Sequence, residues 1–245
     1  MRKFYYDLHI HSCLSPCGDD DNTPNNIAGM AHLCGLDIIA LTDHNSCKNC
    51  PAFFAAAEKY GITPIAGMEL TTSEDIHVVC LFEKLEDAMA FNNYVDGCRI
   101  KIKNRPEIFG NQSVLDMEDK LLFEEEDLLI NATSISVSNV KELVENYHGV
   151  CYPAHIDRES NGIISVLGTI PEDCPFDFYE LHDKEALYNL STQYSIAESR
   201  FIISSDSHRL TDIRDKENYF ELAEKSGSND MVREQLFAIL RRKKA

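Results

Sequence analysis

The sequence predicts an α/β fold, a barrel or an open sheet of mostly parallel strands, on three observations. Seven short apolar runs of strand type begin at Phe4, Asp37, Thr63, Ile76, Gly149, Phe176 and Phe201. Most are followed by a stretch with helical spacing, and that alternation favours parallel pairing. The 245 residues fit one undivided barrel. No repeat or low-complexity linker interrupts them, so a single domain over 1–245 is expected.

In the opening stretch, Tyr6-Asp7-Leu8-His9-Ile10-His11-Ser12, apolar Phe4, Tyr6 and Leu8 alternate with polar positions as in a half-buried strand, and His9 and His11 share a face. A turn-rich loop follows, Ser15-Pro16-Cys17-Gly18-Asp19-Asp20-Asp21-Asn22-Thr23. Its consecutive carboxylates repel one another unless a cation or water separates them. Thr23 and Pro24 read as N-cap and first position of a helix to about Cys34, with Ile27, Met30, Ala31 and Cys34 inward and Gly35 as its stop. Asp37 to Leu41 is a strand ending in Thr42-Asp43-His44-Asn45. A helix from about Pro51 to Tyr60 is closed by Gly61, and the strand Thr63 to Ala66 carries Gly67-Met68-Glu69 at its end.

Ile76 to Phe82 is another strand, with His77 near its start, and the helix Glu86 to Cys98 turns Ala90, Phe91, Tyr94 and Val95 inward. Around 101–130 the pattern changes. Ser113 to Asp116 and Lys120 to Phe123 flank Met117-Glu118-Asp119 as strands flank a hairpin turn, so this segment reads as an insertion over the core. Next come a helix from Val137 to His148, a strand from Gly149 to Pro153 before Ala154-His155, and a helix around Gly162 to Gly168. A strand from Phe176 to Leu181 and a helix from Lys184 to Leu190 precede the last strand, Phe201 to Ser204, which ends in Ser205-Asp206-Ser207-His208. Asn229 to Arg241 is a closing helix, and the basic run Arg241-Arg242-Lys243-Lys244 falls at its negative end.

A formal charge of −18 argues against duplex nucleic acid or an anionic membrane as partner, since both are bound through basic patches. No secretory signal opens the sequence and no apolar stretch approaches the roughly 18 residues of a membrane span, so a soluble, cytoplasmic protein is expected. Nine cysteines, an odd and scattered set, predict reduced thiols. Cys47 and Cys50 lack a second close pair and read as small buried hydrophobes, whereas Cys13 and Cys17 draw interest through their closeness to the histidine pair. Oligomeric state is not legible.

The chemistry gathers where strands end, the usual place for functional side chains in such folds. Six of the nine histidines lie at strand termini, namely His9, His11, His44, His77, His155 and His208, together with Glu69, Asp206 and the acidic loop. A mixed imidazole and carboxylate shell suits Zn, Mn or Fe(II). Two or three neighbouring cations need bridging negative charge, which Glu69 and a shared hydroxide can supply.

As a set, Asp7-Leu8-His9-Ile10-His11-Ser12, Thr42-Asp43-His44-Asn45, Gly67-Met68-Glu69, Ile76-His77, Pro153-Ala154-His155 and Ser205-Asp206-Ser207-His208 resemble the PHP (polymerase and histidinol phosphatase) domain family of metal-dependent phosphoesterases. The resemblance covers essentially the whole chain and implies a distorted (β/α)7 barrel with the 101–130 segment inserted. It implies a first ion on His9, His11, Glu69 and Asp206, and a second on Glu69, His77 and His155. A third would take His44, His208 and one loop acid. The family's usual Asp, five positions after His11, is Pro16 here. Counting back from the Pro of the next helix recovers the offset at Asp19, with Asp20 as the substitute.

Catalysis would fall to Glu69, Asp206 and His208. Asp7 and Asp43 would orient ligand imidazoles. Arg158, Arg105 and Arg209 are candidates for a substrate phosphate, with ion pairing of Arg158 to Asp157 or Glu159 as the alternative. His32, His148 and His182 read as structural. The expected activity is hydrolysis of a small phosphorylated substrate, a phosphomonoester or nucleotide-type phosphodiester, by a metal-activated hydroxide. The alternatives are exonuclease-like phosphodiesterase action and a non-catalytic metal-stabilised scaffold.

Overall fold

The computed structural model describes residues 1–172, 174, 176–223 and 228–241. In chain order the elements are β1 Arg2–Ile10, α1 Pro24–Leu33, β2 Ile38–Leu41, α2 Cys50–Tyr60, β3 Thr63–Thr71, β4 His77–Phe82, α3 Leu85–Cys98, α4 Pro106–Phe109, β5 Ser113–Leu115 and β6 Leu121–Glu124. They continue with α5 Val137–Asn146, β7 Gly149–Pro153, α6 Ile163–Leu167, β8 Tyr179–Leu181, α7 Leu187–Tyr194, β9 Phe201–Ile203, β10 Tyr219–Leu222 and α8 Asn229–Leu240.

Six strands form one sheet in the order β10-β1-β2-β3-β4-β7, and β8 pairs in parallel with β9. The parallel run expected from alternation holds for β1, β2 and β3. It reverses at β4, which lies antiparallel to both β3 and β7. The cause is a tight turn: Thr72 N–H donates to Ile76 O at 2.9 Å, and Asp75 sits at φ +65°. Five residues cannot make the crossover that parallel neighbours need. β3 also runs past Ala66 to Thr71, so Glu69 stands within a fully buried strand. Gly67 permits this close pairing, because a Cβ there would lie 2.6 Å from Cys80 O.

The sheet curls, and the β8–β9 pair fills the gap between β7 and β1. Ile156 N–H donates to Glu180 O on one side, and His11 N–H to Ser207 O on the other, both at 2.9 Å. The result is the distorted barrel that the motifs imply. Its lower interior is apolar: Phe4, Tyr6, Leu8, Ile38, Ala40, Ile65, Val79, Leu81, Tyr152 and Ala154 pack together with Leu236, Phe237 and Leu240 of α8, which closes that end. The opposite strand faces, with Ile39, Leu41, Met68, Val78 and Cys80, pack on α1, α2, α3 and α5. Strand alternation puts Glu69 above Ile65 and His77 above Val79 on the inward face. In β1 the register shifts between Asp7 and Ile10. That bulge changes the parity, so Leu8 joins the floor, Ile10 packs outward, and His9 and His11 turn into the mouth.

Local signals explain most helix ends. The Thr23 hydroxyl accepts from Asn26 N–H, Pro24 opens α1, and Gly61 at φ +69° ends α2. The inner face of α3 differs from expectation. Ala88, Phe91, Asn92 and Val95 are buried, whereas Ala90 and Tyr94 are exposed. Asn92 points inward because its Oδ1 accepts from Cys47 N–H at 2.8 Å. β10 was not expected; it is a short edge strand antiparallel to the outer half of β1.

The insertion contains the β5–β6 hairpin and lies against the loop after β1. Ser113 N–H donates to Cys13 O at 3.0 Å, and Asn49 holds Ser113 O and Leu115 N–H. The cysteines other than Cys174 are free thiols, and the Cys47 thiol donates to Gly67 O. Arg241 at the end of α8 binds Glu83 and His148 O, while the rest of the expected basic cap, Arg242 to Lys244, lies outside the described residues. No helix among the described residues is long and apolar enough to cross a membrane.

Candidate metal centre

The mouth of the barrel is filled by side chains that can bind cations. Glu69 is at its middle. Its Oε1 lies 2.9 Å from His77 Nδ1, 3.1 Å from His155 Nε2 and 3.4 Å from His9 Nε2, and its Oε2 lies 3.0 Å from His44 Nδ1 and 3.3 Å from His11 Nε2. Asp206 Oδ1 is 3.3 Å from His9 Nε2 and 3.2 Å from His11 Nε2. His208 stacks on His11 with ring centroids 4.3 Å apart and is the least buried of the six imidazoles. One carboxylate thus faces five imidazoles, and a second carboxylate closes the group from the other side.

Among the described residues, three groupings have ligand atoms within 4.8 Å of one another. They are His9, His11, Glu69 and Asp206; His44, Glu69 and His77; and His11, Cys17, His44 and His208. The donors fit divalent ions. Asp206 Oδ1, His44 Nδ1 and His155 Nδ1 are buried without a hydrogen-bond partner, although such atoms are normally satisfied. Two of these residues also hold left-handed backbone, His155 at φ +28° and Asp206 at φ +51°, a strain that tends to collect at functional sites.

The electrostatics agree. Burial pushes the Glu69 carboxyl up, but His77, His9 and His44 outweigh it and hold the group well below the usual carboxylate range. Burial likewise opposes the charge on Asp206, and His9 and His11 more than compensate. Burial disfavours a proton on His11, yet Asp206 and Glu69 carry it up to about 9, whereas burial takes His44 down to about 3 and His208 to about 4. Burial also opposes a proton on His9, but Glu180, Asp206 and Glu69 raise its pKa well above the usual imidazole value, so protons on His9 and His11 balance these carboxylates, a balance that cations can take over.

Around this group are residues that hold it in place. Asp7 Oδ1 accepts from Ser205 N–H and His9 N–H, so it fixes backbone rather than a ring. Asp43 accepts from Ser12 N–H, Ser12 Oγ and Ser15 Oγ, and Ser15 Oγ in turn accepts from His11 Nδ1–H at 2.9 Å. Glu180, unnoticed in the sequence, accepts from His9 Nδ1–H at 2.8 Å and from His155 N–H at 3.1 Å. A single acid within the apolar run Phe178-Tyr179-Glu180-Leu181 was the available signal.

The loop carboxylates stand elsewhere. Asp19 and Asp20 are exposed and belong to none of the three groupings. Asp19 N–H is tied to His208 O, and its Oδ1 accepts from Asp21 N–H. Two successive turns, closed by Ser15 N–H to Ser12 O and Gly18 N–H to Ser15 O, bring Cys17 to the histidines and carry Asp19 past them. Counting back from Pro24 misses this because it assumes an unturned loop.

Of the three arginines only Arg158 reaches the group. Its guanidinium contacts Asp206 Oδ2 and His182 Nδ1. Arg105 and Arg209 are exposed. Asp157 accepts from His182 N–H and Asp183 N–H. Burial, then the charges of Arg158 and Arg214, lowers the His182 pKa. His32 leans on Tyr60, and His148 ends α5 in left-handed backbone.

The family model described as the PHP domain matches residues 7–195. The PolC-type DNA polymerase III of Thermotoga maritima is 27% identical over 168 residues, 68% of this chain and 11% of the polymerase. A 5'-3' exoribonuclease of Haemophilus influenzae is 34% identical over 88 residues, covering 34% of this chain and 31% of the exoribonuclease. The chain thus spans about a tenth of the polymerase's length. The lesion-specific endonuclease EndoQ of Pyrococcus furiosus superposes with a TM-score of 0.67 at 18% identity, over 95% of this chain and 55% of that one. A structure of Endonuclease Q with a 27-mer duplex carrying an abasic lesion at the active site gives a TM-score of 0.65 at 18% identity, over 100% and 58%.

These likenesses show the fold. They also correct the expectation that acidity excludes duplex nucleic acid, since a protein of this fold holds a duplex at its active site. The physical reason is screening: beyond a Debye length of about 8–10 Å, formal charge hardly acts, so net charge does not decide such a partner.

Proposed function

Because the chain belongs to the PHP domain family, whose model matches most of its length, we propose that its barrel mouth hydrolyses phosphate esters with divalent metal ions, on a small phosphomonoester or a nucleotide-type phosphodiester. The observation that carries this reading is the placement of Glu69, whose two oxygens are shared among five imidazoles at 2.9 to 3.4 Å. Such a carboxylate is suited to bridging. In this reading His9, His11 and Asp206 with Glu69 hold one ion, and His77 and His155 with Glu69 a second. A third is served by His44 and His208. Zinc, manganese and iron all suit these donors.

Bound ions supply Lewis acidity, making a water nucleophilic near neutral pH and taking up charge on the phosphoryl oxygens. The chain's own residues do the rest. Glu180 keeps the His9 ring oriented, and the Asp43–Ser15 relay does so for His11. Arg158 sits on the outer oxygen of Asp206, where its planar fork can transfer to a phosphoryl oxygen entering the mouth. A second reading, nuclease action on a strand, draws on the similarity to a polymerase and an exoribonuclease.

The test is turnover on a panel of phosphomonoesters, mononucleotides, cyclic phosphodiesters, single strands and duplexes, with zinc, manganese or ferrous iron added. Activity on a small ester, lost on chelation and restored by an ion, is expected. Preferential cleavage of strands selects the second reading, and a metal-loaded protein inert on every substrate overturns both.

A further inference from the structure

We propose that Cys17 is a metal ligand, completing with His44 and His208 a sulfur-bearing site at the rim of the mouth that takes zinc or iron in preference to manganese or magnesium. The proposal rests on reading the mouth as a metal centre and adds a ligand type that the carboxylate and imidazole pattern does not contain.

Four observations carry it. Ligand atoms of His11, Cys17, His44 and His208 all lie within 4.8 Å of one another, a spread that small side-chain rotations bring to the edge of a tetrahedron, roughly 3.3–3.8 Å for zinc with nitrogen and sulfur ligands. His11 is engaged through both nitrogens, Nε2 between Asp206 Oδ1 at 3.2 Å and Glu69 Oε2 at 3.3 Å and Nδ1 on Ser15 Oγ, whereas His44 faces one carboxylate through Nδ1. That leaves Cys17, His44 and His208 as the ligands of the outer site, with a fourth position open. His44 is buried, and its Nδ1 lies 3.0 Å from Glu69 Oε2 without making a hydrogen bond, so the ring enters the group with a nitrogen left unsatisfied. The loop that presents the thiol is built tightly. A Cβ on Gly18 would stand 2.2 Å from Ser12 O, so the turn holds only with glycine next to the cysteine.

The neighbouring loop positions do not compete. Pro16 has no donor side chain, and Asp19 is turned toward the backbone of Asp21. Thiolate ligation selects by softness: sulfur favours zinc and iron, whereas manganese and magnesium favour oxygen. Cys17 and His208 are also the most exposed of the four, so the ion they hold is the one nearest solvent and incoming substrate.

The experiment uses the full chain reconstituted with zinc and, separately, with cobalt, together with Cys17→Ser and Cys17→Asp. Its readouts are metal stoichiometry, zinc-edge X-ray absorption and the cobalt spectrum. The wild type is expected to show a zinc–sulfur distance of about 2.3 Å beside nitrogen and oxygen shells at about 2.0–2.2 Å. It should also show a sulfur-to-cobalt charge-transfer band. Cys17→Ser should lose both and bind one ion fewer. Cys17→Asp should lose both sulfur signals yet keep the wild-type ion count, which also shows that the loop still folds. Bound metal with only nitrogen and oxygen neighbours in the wild type, or sulfur signals that persist in Cys17→Ser, overturns this proposal and leaves the phosphoesterase reading standing. Failure of the wild type to bind any metal overturns both.

Discussion

Glu180→Gln isolates one interaction that the barrel mouth depends on. Glu180 is 1% exposed and belongs to none of the three groupings that could hold an ion; its Oε2 accepts from His9 Nδ1–H at 2.8 Å. An ion on the far nitrogen of that ring would stand roughly 6–7 Å from the carboxylate, given a metal–nitrogen bond of about 2.0 Å. At an effective dielectric constant near 20 the attraction between a carboxylate and a dication at that distance is about 5 kcal/mol. Glutamine forfeits the charge but keeps the shape and an acceptor oxygen for His9, so the measured loss should be smaller. A 10–100-fold weakening of metal affinity is expected, about 1.4–2.8 kcal/mol. Competition against a calibrated chelator reads this directly, and circular dichroism checks the fold. Affinity within about twofold of wild type in a folded variant would refute the argument that His9 is tuned through its second nitrogen.

His9→Ala removes a ligand rather than its support, so turnover on any phosphoester that the wild type accepts should fall by more than about 100-fold while near-ultraviolet dichroism is unchanged. Retained turnover would take His9 out of the site. Glu74 tests the scaffold instead: its carboxylate accepts from Ser136 Oγ and Val137 N–H at the start of α5. Glu74→Gln should cost about 0.5–1 kcal/mol, seen as a lower urea midpoint. Burial is the largest single influence on the Glu74 carboxyl and pushes its pKa up, but the hydrogen bonds from Ser136, Val137 and Thr72 together hold it below the ordinary 4.5. The native carboxylate therefore stabilises the fold above pH 4.5. The gap between wild type and variant should persist at neutral pH and close as pH falls through the native pKa; a gap that grows in acid would contradict this.

The sequence shows the inward faces well where a strand's pattern is uninterrupted. Thr23-Pro24, Gly61 and the hairpin at Met117-Glu118-Asp119 are local signals, and local structure follows them. What escapes is non-local. The antiparallel placement of β4 depends on a five-residue turn whose length matters more than its composition, and β10 exists only because β1 offers an edge to pair with. In the site, the histidines and acids at strand ends are visible because such residues are costly to bury without a purpose. Glu180 is invisible by the same logic, and Cys17, noted only for its closeness to the histidine pair, is not placed by it. One sits in an apolar run where strand position, not residue type, gives it a partner, and the other is delivered by two consecutive turns that residue counting cannot follow.

His9 lies on the first strand and His11 directly after it, whereas Asp206 and His208 follow the ninth. A nascent chain leaving the ribosome therefore exposes a histidine pair long before the partners that give it geometry are made. Contacts so distant along the chain form late. An ion captured at that stage would be held by two imidazoles and little else, and would exchange freely. Selection among metals would then belong to the finished set of ligands, which only the closed barrel assembles.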